Sequence, residues 1–527
     1  MPPTDSSTET ADSLRLSDRQ AGHLRHFANL SRQPVNDWSF MQGRGTGQDD
    51  FGGYRFQMAY MAYALALAHR HRLPAAPGVF KPVFERFMQK MLLPEVWMYW
   101  ARVSRGGSVL NAHLSDGYTE DWNPVGRDNI MYSAYVQSMA LLYNYLFDDD
   151  RYAAPGALTF SYWSFFWGGK ERRFEYDQAS LNQHIYWQMV ESGYVGVACE
   201  PNCVFQICNQ PAILGFRMHD LVTGEAMAEE VTQGYQKAWE QFGRLGANGH
   251  YNTMMSQDTR AIRDNAGPSP WVDAWCGTLM NMWNREFVHA HYPTQIAGWL
   301  IHEPDGMLSV RSFERPEVMG QKIVNDDSDF GWAATWASEM GDTTVLDGLM
   351  KHAERFMSPS WRDGGFHYPR NDVLADKDGY RTLVEAMTGN VLLGYASLNV
   401  PDGLWRLYNE PWATSHHRDP ALTQVDDGVD VLRAHVAEAA QGGARRLHFT
   451  VRRCTAGRGG FDIEIGRLSN CGDWKLMQGG QTVARGTGGQ LAASQAFDIR
   501  AVAGGIALTC PEGEARDFEL VFEPRAA

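Results

Sequence analysis

Three cysteines and a glutamate form the densest group of reactive side chains in the sequence. Cys199, Glu200, Cys203 and Cys208 lie in the segment ACEPNCVFQICNQP at residues 198–211. A thiol can give up a proton or, as a thiolate, attack carbon, and a carboxylate can act as a base. The Pro–Asn turn predicts a helix that begins near Cys203. Cys199 would then lie at or before a helix N-terminus, where the helix dipole lowers a thiol pKa.

Two other interpretations of these cysteines stay open. Free cysteines are often buried and chemically inert. A metal site is less well supported, because the spacings of four and five residues match no zinc template and no histidine pair stands nearby. The sequence therefore predicts no metal site. It also contains no glycine-rich phosphate loop, no G-x-S-x-G elbow and no H-E-x-x-H motif.

Further candidate side chains stand at junctions between loops and predicted helices. A lone loop carboxylate is usually solvated, and aromatic residues at helical spacing usually belong to a core. In a ring of helices, however, such junctions line the mouth of the central cavity. The candidates there are Asp37, the DNIMYSAY residues Met131, Tyr132 and Tyr135, the pair His250 and Tyr251, and Trp271.

The elements that must position these side chains are mainly helices. Residues 54–71 and 129–147 are apolar almost all round, which is typical of helices buried on most sides. Other predicted helices are amphipathic, so the two kinds fit an inner and an outer ring, an (α/α) toroid. The remaining predicted helices cover residues 181–193, 205–221, 224–243, 272–288, 331–340, 344–357 and 380–395.

After about residue 415 the hydrophobic period changes to two. Short alternating segments separated by glycine-rich turns are typical of a small antiparallel β-sandwich. We therefore predict a disordered leader at 1–25, a helical barrel at 26–415 and a β-sandwich at 416–527.

Composition narrows the class of protein. The 527 residues carry a formal net charge of −15, which disfavours nucleic acid as a partner. No stretch of 18 apolar residues predicts a membrane span, and the polar N-terminus lacks the pattern of a signal peptide. We expect a cytoplasmic protein whose seven cysteines are free thiols. The 12% aromatic content fits either a large core or an aromatic-walled pocket for an apolar or sugar-like ligand.

Taken together, these segments resemble the bacterial linalool dehydratase-isomerase family. CEPNCVFQIC places Cys199 and Cys208 nine residues apart around a CEP turn, with the aromatic Phe205 between them. DNIMYSAY resembles the family's NIMY helix start, and YRFQMAYMAYALAL resembles its first inner helix. SPWVDAW and the pair Asp326–Asp327 follow in order, so the resemblance covers roughly residues 30–400.

The resemblance implies an (α/α)6 barrel, often a cyclic homo-oligomer, with an apolar cavity and no metal or organic cofactor. It implies dehydration of a tertiary allylic alcohol and its isomerisation to a primary one. Cys199 and Cys208 match the family's two functional cysteines, and Asp37 matches its carboxylate.

The chain departs from the family pattern at three positions. The family histidine is replaced by Tyr135, and the tyrosine that opens the first inner helix falls on Phe56, with Tyr54 and Tyr60 as possible substitutes. The tyrosine six residues after the carboxylate falls on Gly43. The full proton-relay set of the family is therefore not retained.

The sequence thus predicts a cofactor-independent hydro-lyase or isomerase for a small apolar or hydroxylated, terpenoid-like molecule. Cys199 or Cys208 would act as acid or nucleophile, Asp37 as base, and Tyr135 as a hydrogen-bond partner of the substrate oxygen. One alternative is a carbohydrate-active toroid enzyme that draws on Asp326, Asp327 and the pair 250–251. Another is a binding protein that has kept the barrel and lost the chemistry.

Overall fold

The fold is given by a computed structural model that describes residues 15–43, 47–48, 51–106, 109–166, 169–265, 267, 269–311, 328–437, 444–454, 456–495 and 497–525. Asp326, Asp327 and residues 1–14 of the predicted leader lie outside these ranges. The α-helices are α1 (Asp18–Arg32), α2 (Tyr54–His71), α3 (Pro77–Met91), α4 (Pro94–Trp97), α5 (Tyr99–Val103), α6 (Ile130–Phe147), α7 (Gln178–Glu191), α8 (Gln206–Thr223), α9 (Met227–Phe242), α10 (Pro270–Met280), α11 (Arg285–Trp299), α12 (Asp329–Met340), α13 (Thr343–Phe356), α14 (Leu393–Leu398, preceded by a π-helical turn at Thr388–Leu392) and α15 (Gly403–Asn409).

Six of the described helices contact one another in a closed ring, in the order α2, α6, α8, α10, α12, α14 and back to α2. All residues of α6 and α10 are buried, as expected of helices that are apolar on every side. Helices α1, α3, α7, α9, α11 and α13 pack outside this ring. Of these, α9 and α13 bury a single face. The protein is therefore a helical toroid with an inner and an outer layer.

The short strands of the helical part are β1 (Leu158–Tyr162), β2 (Arg172–Tyr176), β3 (Cys203–Val204), β4 (Met254–Ser256), β5 (Ile262–Arg263), β6 (Leu300–His302), β7 (Leu308–Val310), β8 (Ser360–Arg362) and β9 (Gly365–His367). The C-terminal region contains β10 (Ala421–Val425), β11 (Val429–Ala437), β12 (Arg445–Arg453), β13 (Phe461–Gly466), β14 (Cys471–Gln478), β15 (Gln481–Thr487), β16 (Gln490–Ser494), β17 (Asp498–Val502), β18 (Gly505–Cys510) and β19 (Arg516–Pro524). These ten form two antiparallel sheets, ordered β10-β13-β18-β17 and β11-β12-β19-β14-β15-β16. The β-rich C-terminal region predicted from the period of two is confirmed.

The β region packs against the turn that joins α2 to α3. Ala75 in this turn accepts a backbone hydrogen bond from Leu422 at 2.8 Å and donates one to Ala434 at 3.1 Å. Helix α3 packs against β10, and α1 against β11. Since this turn follows the C-terminal end of α2, the N-terminal end of α2 faces away from the β region.

The prediction of a disordered leader up to residue 25 is wrong for residues 18–25, because α1 begins at Asp18. Ser17 and Gln20 form a capping box, in which each side chain accepts the other's backbone N–H. Leu24 and Phe27 recur at helical spacing and are buried. The cap and the buried apolar face together stabilise α1, although many residues of the segment are polar.

No helix within the described residues combines the length and the apolar character needed to cross a lipid bilayer.

Candidate active site

The N-terminal ends of four ring helices surround a small, partly open cavity of about 60 Å³. Arg55 and Phe56 are the second and third residues of α2, and Met131 is the second residue of α6. Cys208 lies in the first turn of α8, and Trp271 is the second residue of α10. The full lining consists of Phe51, Arg55, Phe56, Met131, Cys199, Glu200, Phe205, Ile207, Cys208 and Trp271.

A tight turn brings Cys199 and Glu200 to the wall of this cavity. The Cys199 N–H donates to the Cys203 carbonyl at 2.8 Å, and the Cys203 N–H donates to the Glu200 carbonyl at 2.9 Å. Asn202 adopts a left-handed conformation with φ of 69°, which asparagine tolerates better than most residues. The following helix begins at Gln206 rather than near Cys203, because Cys203 and Val204 instead pair with β4.

Cys199 and Cys208 are buried free thiols within hydrogen-bonding reach of each other. Burial raises the pKa of both, and it holds the pKa of Cys199 well above its ordinary value of 9.0. The Cys199 S–H donates to the Cys208 sulfur, which raises the pKa of Cys199 further and lowers that of Cys208. The prediction that a helix N-terminus lowers the pKa of Cys199 is therefore wrong. Its thiol is neutral at pH 7, and Cys208, in the first turn of α8, is the more readily ionised of the two.

Because only a thiolate reacts with iodoacetamide, we expect slow alkylation of Cys199 in the folded protein below pH 9. In the folded protein, the alkylation rate at Cys199 rises with pH and reaches half of its maximum above pH 9. In the unfolded chain, the alkylation rate reaches half of its maximum near pH 8.5. Peptide mass spectrometry after timed labelling measures both profiles. A folded-state midpoint at or below pH 8.5 would contradict the raised pKa.

Aromatic rings wall the cavity and continue beneath it. Phe51 and Trp271 lie 4.8 Å apart between ring centroids, and Phe56 packs edge-on against Tyr135 at 5.8 Å. Tyr135 in turn meets Tyr60 edge-on at 5.9 Å. The buried Tyr135 hydroxyl has no well-aligned hydrogen bond, although it lies close enough to Tyr60 for the two to affect each other's pKa. Burial raises the pKa of Tyr135 well above 10, so its hydroxyl is a neutral donor just below the cavity.

One acidic and one basic side chain share the cavity wall with the thiols. Glu200 contributes negative charge, which raises the pKa of both Cys199 and Cys208. Arg55 is 3% exposed, and its guanidinium lies 4.2 Å from the Phe56 ring centroid. Its positive charge lowers the pKa of Cys199 and so opposes the effect of Glu200. The cavity therefore combines apolar walls with a proton donor and a carboxylate.

Two of the predicted site residues lie away from the cavity lining. Asp37 is half-buried and accepts the backbone N–H of Ser39 at 3.0 Å, which lowers the pKa of its carboxyl. Lys90 is a nearby positive charge that acts in the same direction. Tyr54 stacks on Trp38 with ring centroids 4.3 Å apart. The placement of Asp37 outside the cavity lining disagrees with its predicted role as the base of the cavity.

Three further predicted residues have structural partners elsewhere. The Tyr132 hydroxyl donates to the Met91 carbonyl at 2.6 Å, so this ring points away from the neighbouring Met131. His250 Nδ1 lies 2.5 Å from the buried Asp273 carboxylate, which also accepts the Tyr251 N–H at 2.8 Å. None of the three lines the cavity. The structure thus brings together Phe56, Met131, Cys199, Phe205, Cys208 and Trp271 from the predicted set, with Tyr60 and Tyr135 beneath them.

Sequence reasoning missed Phe51, Arg55 and Ile207, and it assigned no role to Glu200 beyond its place among the cysteines. The sequence did indicate Arg55, because a charged residue at the start of an otherwise apolar inner helix is rarely buried unless it has a partner there. Phe51 and Ile207 carried none. In the part of the chain that the structure describes, no cluster of histidine, cysteine, aspartate or glutamate could hold a metal ion.

The helix N-termini of this toroid thus bring a thiol pair and a carboxylate to one cavity. The chain belongs to the linalool dehydratase/isomerase family, whose sequence profile matches residues 55–374, more than half of its length.

Solved structures with similar folds include carbohydrate-active enzymes. The unsaturated glucuronyl hydrolase of Bacillus sp. GL1 is 12% identical, with a TM-score of 0.41, covering 75% of this chain and 98% of that one. An α-1,6-mannanase from a Salegentibacter species is 10% identical, with a TM-score of 0.39, covering 74% and 99%. A Listeria innocua protein, Lin0763, is 11% identical, with a TM-score of 0.39, covering 71% and 96%.

Proposed function

We propose that the protein is a hydro-lyase and isomerase that acts, without a cofactor, on a hydroxylated substrate of the allylic-alcohol type. One observation carries the proposal: Cys199, Glu200 and Cys208 meet on the wall of an aromatic-lined cavity in a chain of the linalool dehydratase/isomerase family. As the carbon–oxygen bond breaks, the catalytic groups have only to give and take protons, which these side chains can do.

Loss of water begins at the substrate hydroxyl. The neutral Cys199 thiol gives its proton to the hydroxyl oxygen as the carbon–oxygen bond breaks, and the oxygen leaves as water. Cys208 accepts the Cys199 S–H in the resting protein, and its own S–H then turns to donate to the thiolate that forms, which stabilises it. Positive charge develops on the allylic carbons and is stabilised by the faces of Phe56, Phe205 and Trp271.

The carboxylate of Glu200 completes the dehydration. It removes a proton from the carbon next to the cationic centre, which gives the alkene, and this proton returns to the Cys199 thiolate. For isomerisation, water adds instead to the far end of the allylic cation and loses its proton to the same carboxylate. We assign the role of base to Glu200 rather than Asp37, because Glu200 lines the cavity and Asp37 lies outside its lining.

Tyr135 is proposed to hold the substrate oxygen in place of the family histidine. Its hydroxyl is buried without a well-aligned partner, and its ring packs edge-on against Phe56, which lines the cavity. A neutral phenol can donate to the substrate hydroxyl but cannot carry the positive charge of an imidazolium. This difference from the family pattern points to a proton relay that runs through the thiols.

The test is gas chromatography–mass spectrometry of the reduced protein, under anaerobic conditions, with linalool, geraniol and related allylic alcohols. An alkene or an isomerised alcohol, formed only with native protein, supports the proposal. The same preparations are assayed for reducing sugar and for unsaturated uronate from polysaccharides. Sugar release without any alkene would instead support the carbohydrate-active alternative, and ligand-induced thermal stabilisation without any product would support the binding protein.

Four finer expectations belong to this proposal. We propose that the six ring helices and their outer partners form an (α/α)6 barrel. A homo-oligomeric assembly and a cytoplasmic location stay predictions, as does a terpenoid rather than another hydroxylated substrate.

A further inference from the structure

A second and larger cavity, of about 340 Å³, lies where the helical toroid meets the β region. The end of α2, the segment 411–421 and strands β11 and β12 contribute to its walls. Arg70 is fifteen residues after Arg55 on α2, so about 22 Å of helix separates this cavity from the candidate active site. The volume falls within the range of about 300–1,000 Å³ that small organic ligands occupy.

The walls of this cavity carry more positive than negative charge. Among its lining residues are three arginines, Arg70, Arg445 and Arg467, and one carboxylate, Asp419. Asp419 pairs with Arg445. An excess of arginine in a partly closed cavity is unusual for a protein whose formal net charge is −15.

Arg70 and Arg467 are held mainly by backbone carbonyl groups. Arg70 donates to the Glu410 carbonyl at 2.9 Å, and the Glu410 carboxylate is a distant partner at 3.9 Å. Arg467 donates to the His416 carbonyl at 3.0 Å. Asp148 and Asp419 also raise the pKa of Arg467, but burial lowers it by more. Carbonyl groups fix the two side chains in place without cancelling their charge.

Stacked aromatic side chains pack against Arg70 at one wall of the cavity. The Arg70 guanidinium lies 4.7 Å from the Trp412 ring centroid, and Trp412 stacks on His416 at 3.5 Å. Burial and the charges of His69, His417, Arg467 and Arg70 lower the pKa of His416 to about 2, so this ring is neutral. The buried Nε atoms of Arg70 and Trp412 have no acceptor among the described residues. An anion in the cavity would supply acceptors for such groups.

We propose that this cavity binds a small organic oxyanion, a molecule that carries a phosphate or carboxylate group. The planar guanidinium groups of Arg70 and Arg467 offer paired N–H donors, the geometry that matches either group. The site is independent of the thiol cavity and of the reaction proposed there.

The test is isothermal titration calorimetry of the full chain with inorganic phosphate and with citrate, at constant ionic strength. Saturable binding of either anion is expected, and sodium chloride titrated in place of the anion is expected to give no saturable heat. Arg70→Gln and Arg467→Gln are each expected to weaken binding tenfold or more. Arg500→Gln, at an exposed position on β17, is the matched control and binds as the native protein does.

Because Arg467 also anchors the His416 backbone, Arg70→Gln is the decisive variant if Arg467→Gln unfolds. Preference for phosphate or for citrate identifies the group recognised. Absence of binding with both anions, or equal binding by native protein and Arg70→Gln, would overturn the proposal. Because the readout is binding heat, failure here is distinguishable from failure of the proposed reaction.

Discussion

Replacing Cys199 by alanine is expected to lower turnover of an allylic alcohol by about a hundredfold to ten-thousandfold, the usual contribution of a general acid. The Cys199 thiol is a neutral proton donor on the cavity wall, and it already forms a hydrogen bond with a second thiol, that of Cys208. Without it, hydroxide would have to leave in place of water. Cys208→Ala is expected to act in the same direction but less strongly, because Cys208 stabilises the thiolate rather than giving the proton. Product formation followed by gas chromatography–mass spectrometry measures both effects.

Cys510→Ala is the matched control for these variants. Cys510 is also a buried free thiol, but it lies on β18 in the C-terminal sheets. We expect its loss to leave the turnover per folded molecule unchanged. Circular dichroism and thermal unfolding of all three variants separate lost chemistry from lost fold. Turnover by Cys199→Ala within threefold of the native rate would remove the thiol from the mechanism.

The buried ring helices were the most predictable part of the fold. Residues 54–71 were predicted as a helix and form α2 with the same bounds, because an all-round apolar pattern leaves few alternatives. The segment 272–288 was predicted as one helix, yet α10 ends at Met280 and α11 begins at Arg285. Met282 and Trp283 continue the apolar pattern through this break, and the signal that the period omits is the pair Asn281 and Asn284, which cap the two helices.

The chemistry of the site was less predictable than its scaffold, because it depends on distant parts of the chain. The spacing of Cys199 and Cys208 left open whether the two thiols face each other, and only the resemblance to the family implied that both belong to one site. The direction of their pKa shift was not predictable, since it comes from burial by residues of four helices rather than from the local helix dipole. The choice between Asp37 and Glu200 likewise required knowing which carboxylate faces the cavity.

That choice leads to the second large effect that we expect. Glu200→Gln should lower kcat by about a hundredfold to ten-thousandfold, with KM changed only a few-fold. The amide keeps the size of the side chain and can still accept a hydrogen bond, but it cannot remove a proton from carbon. Asp37→Asn should change kcat by less than about tenfold, because Asp37 lies outside the cavity lining and accepts its hydrogen bond from Ser39 in its own loop. Steady-state kinetics on the best allylic alcohol compares the two variants directly.

The two carboxylates give opposite outcomes if the assignment is reversed. A large loss of kcat in Asp37→Asn together with near-native kcat in Glu200→Gln would return the role of base to Asp37, and the loop that carries it would have to fold over the cavity during turnover. Loss in both variants would mean that two carboxylates share the proton. Loss confined to Glu200→Gln, in a protein with native thermal stability, is the result that the geometry predicts, because Glu200 stands beside Cys199 on the wall that the substrate must touch.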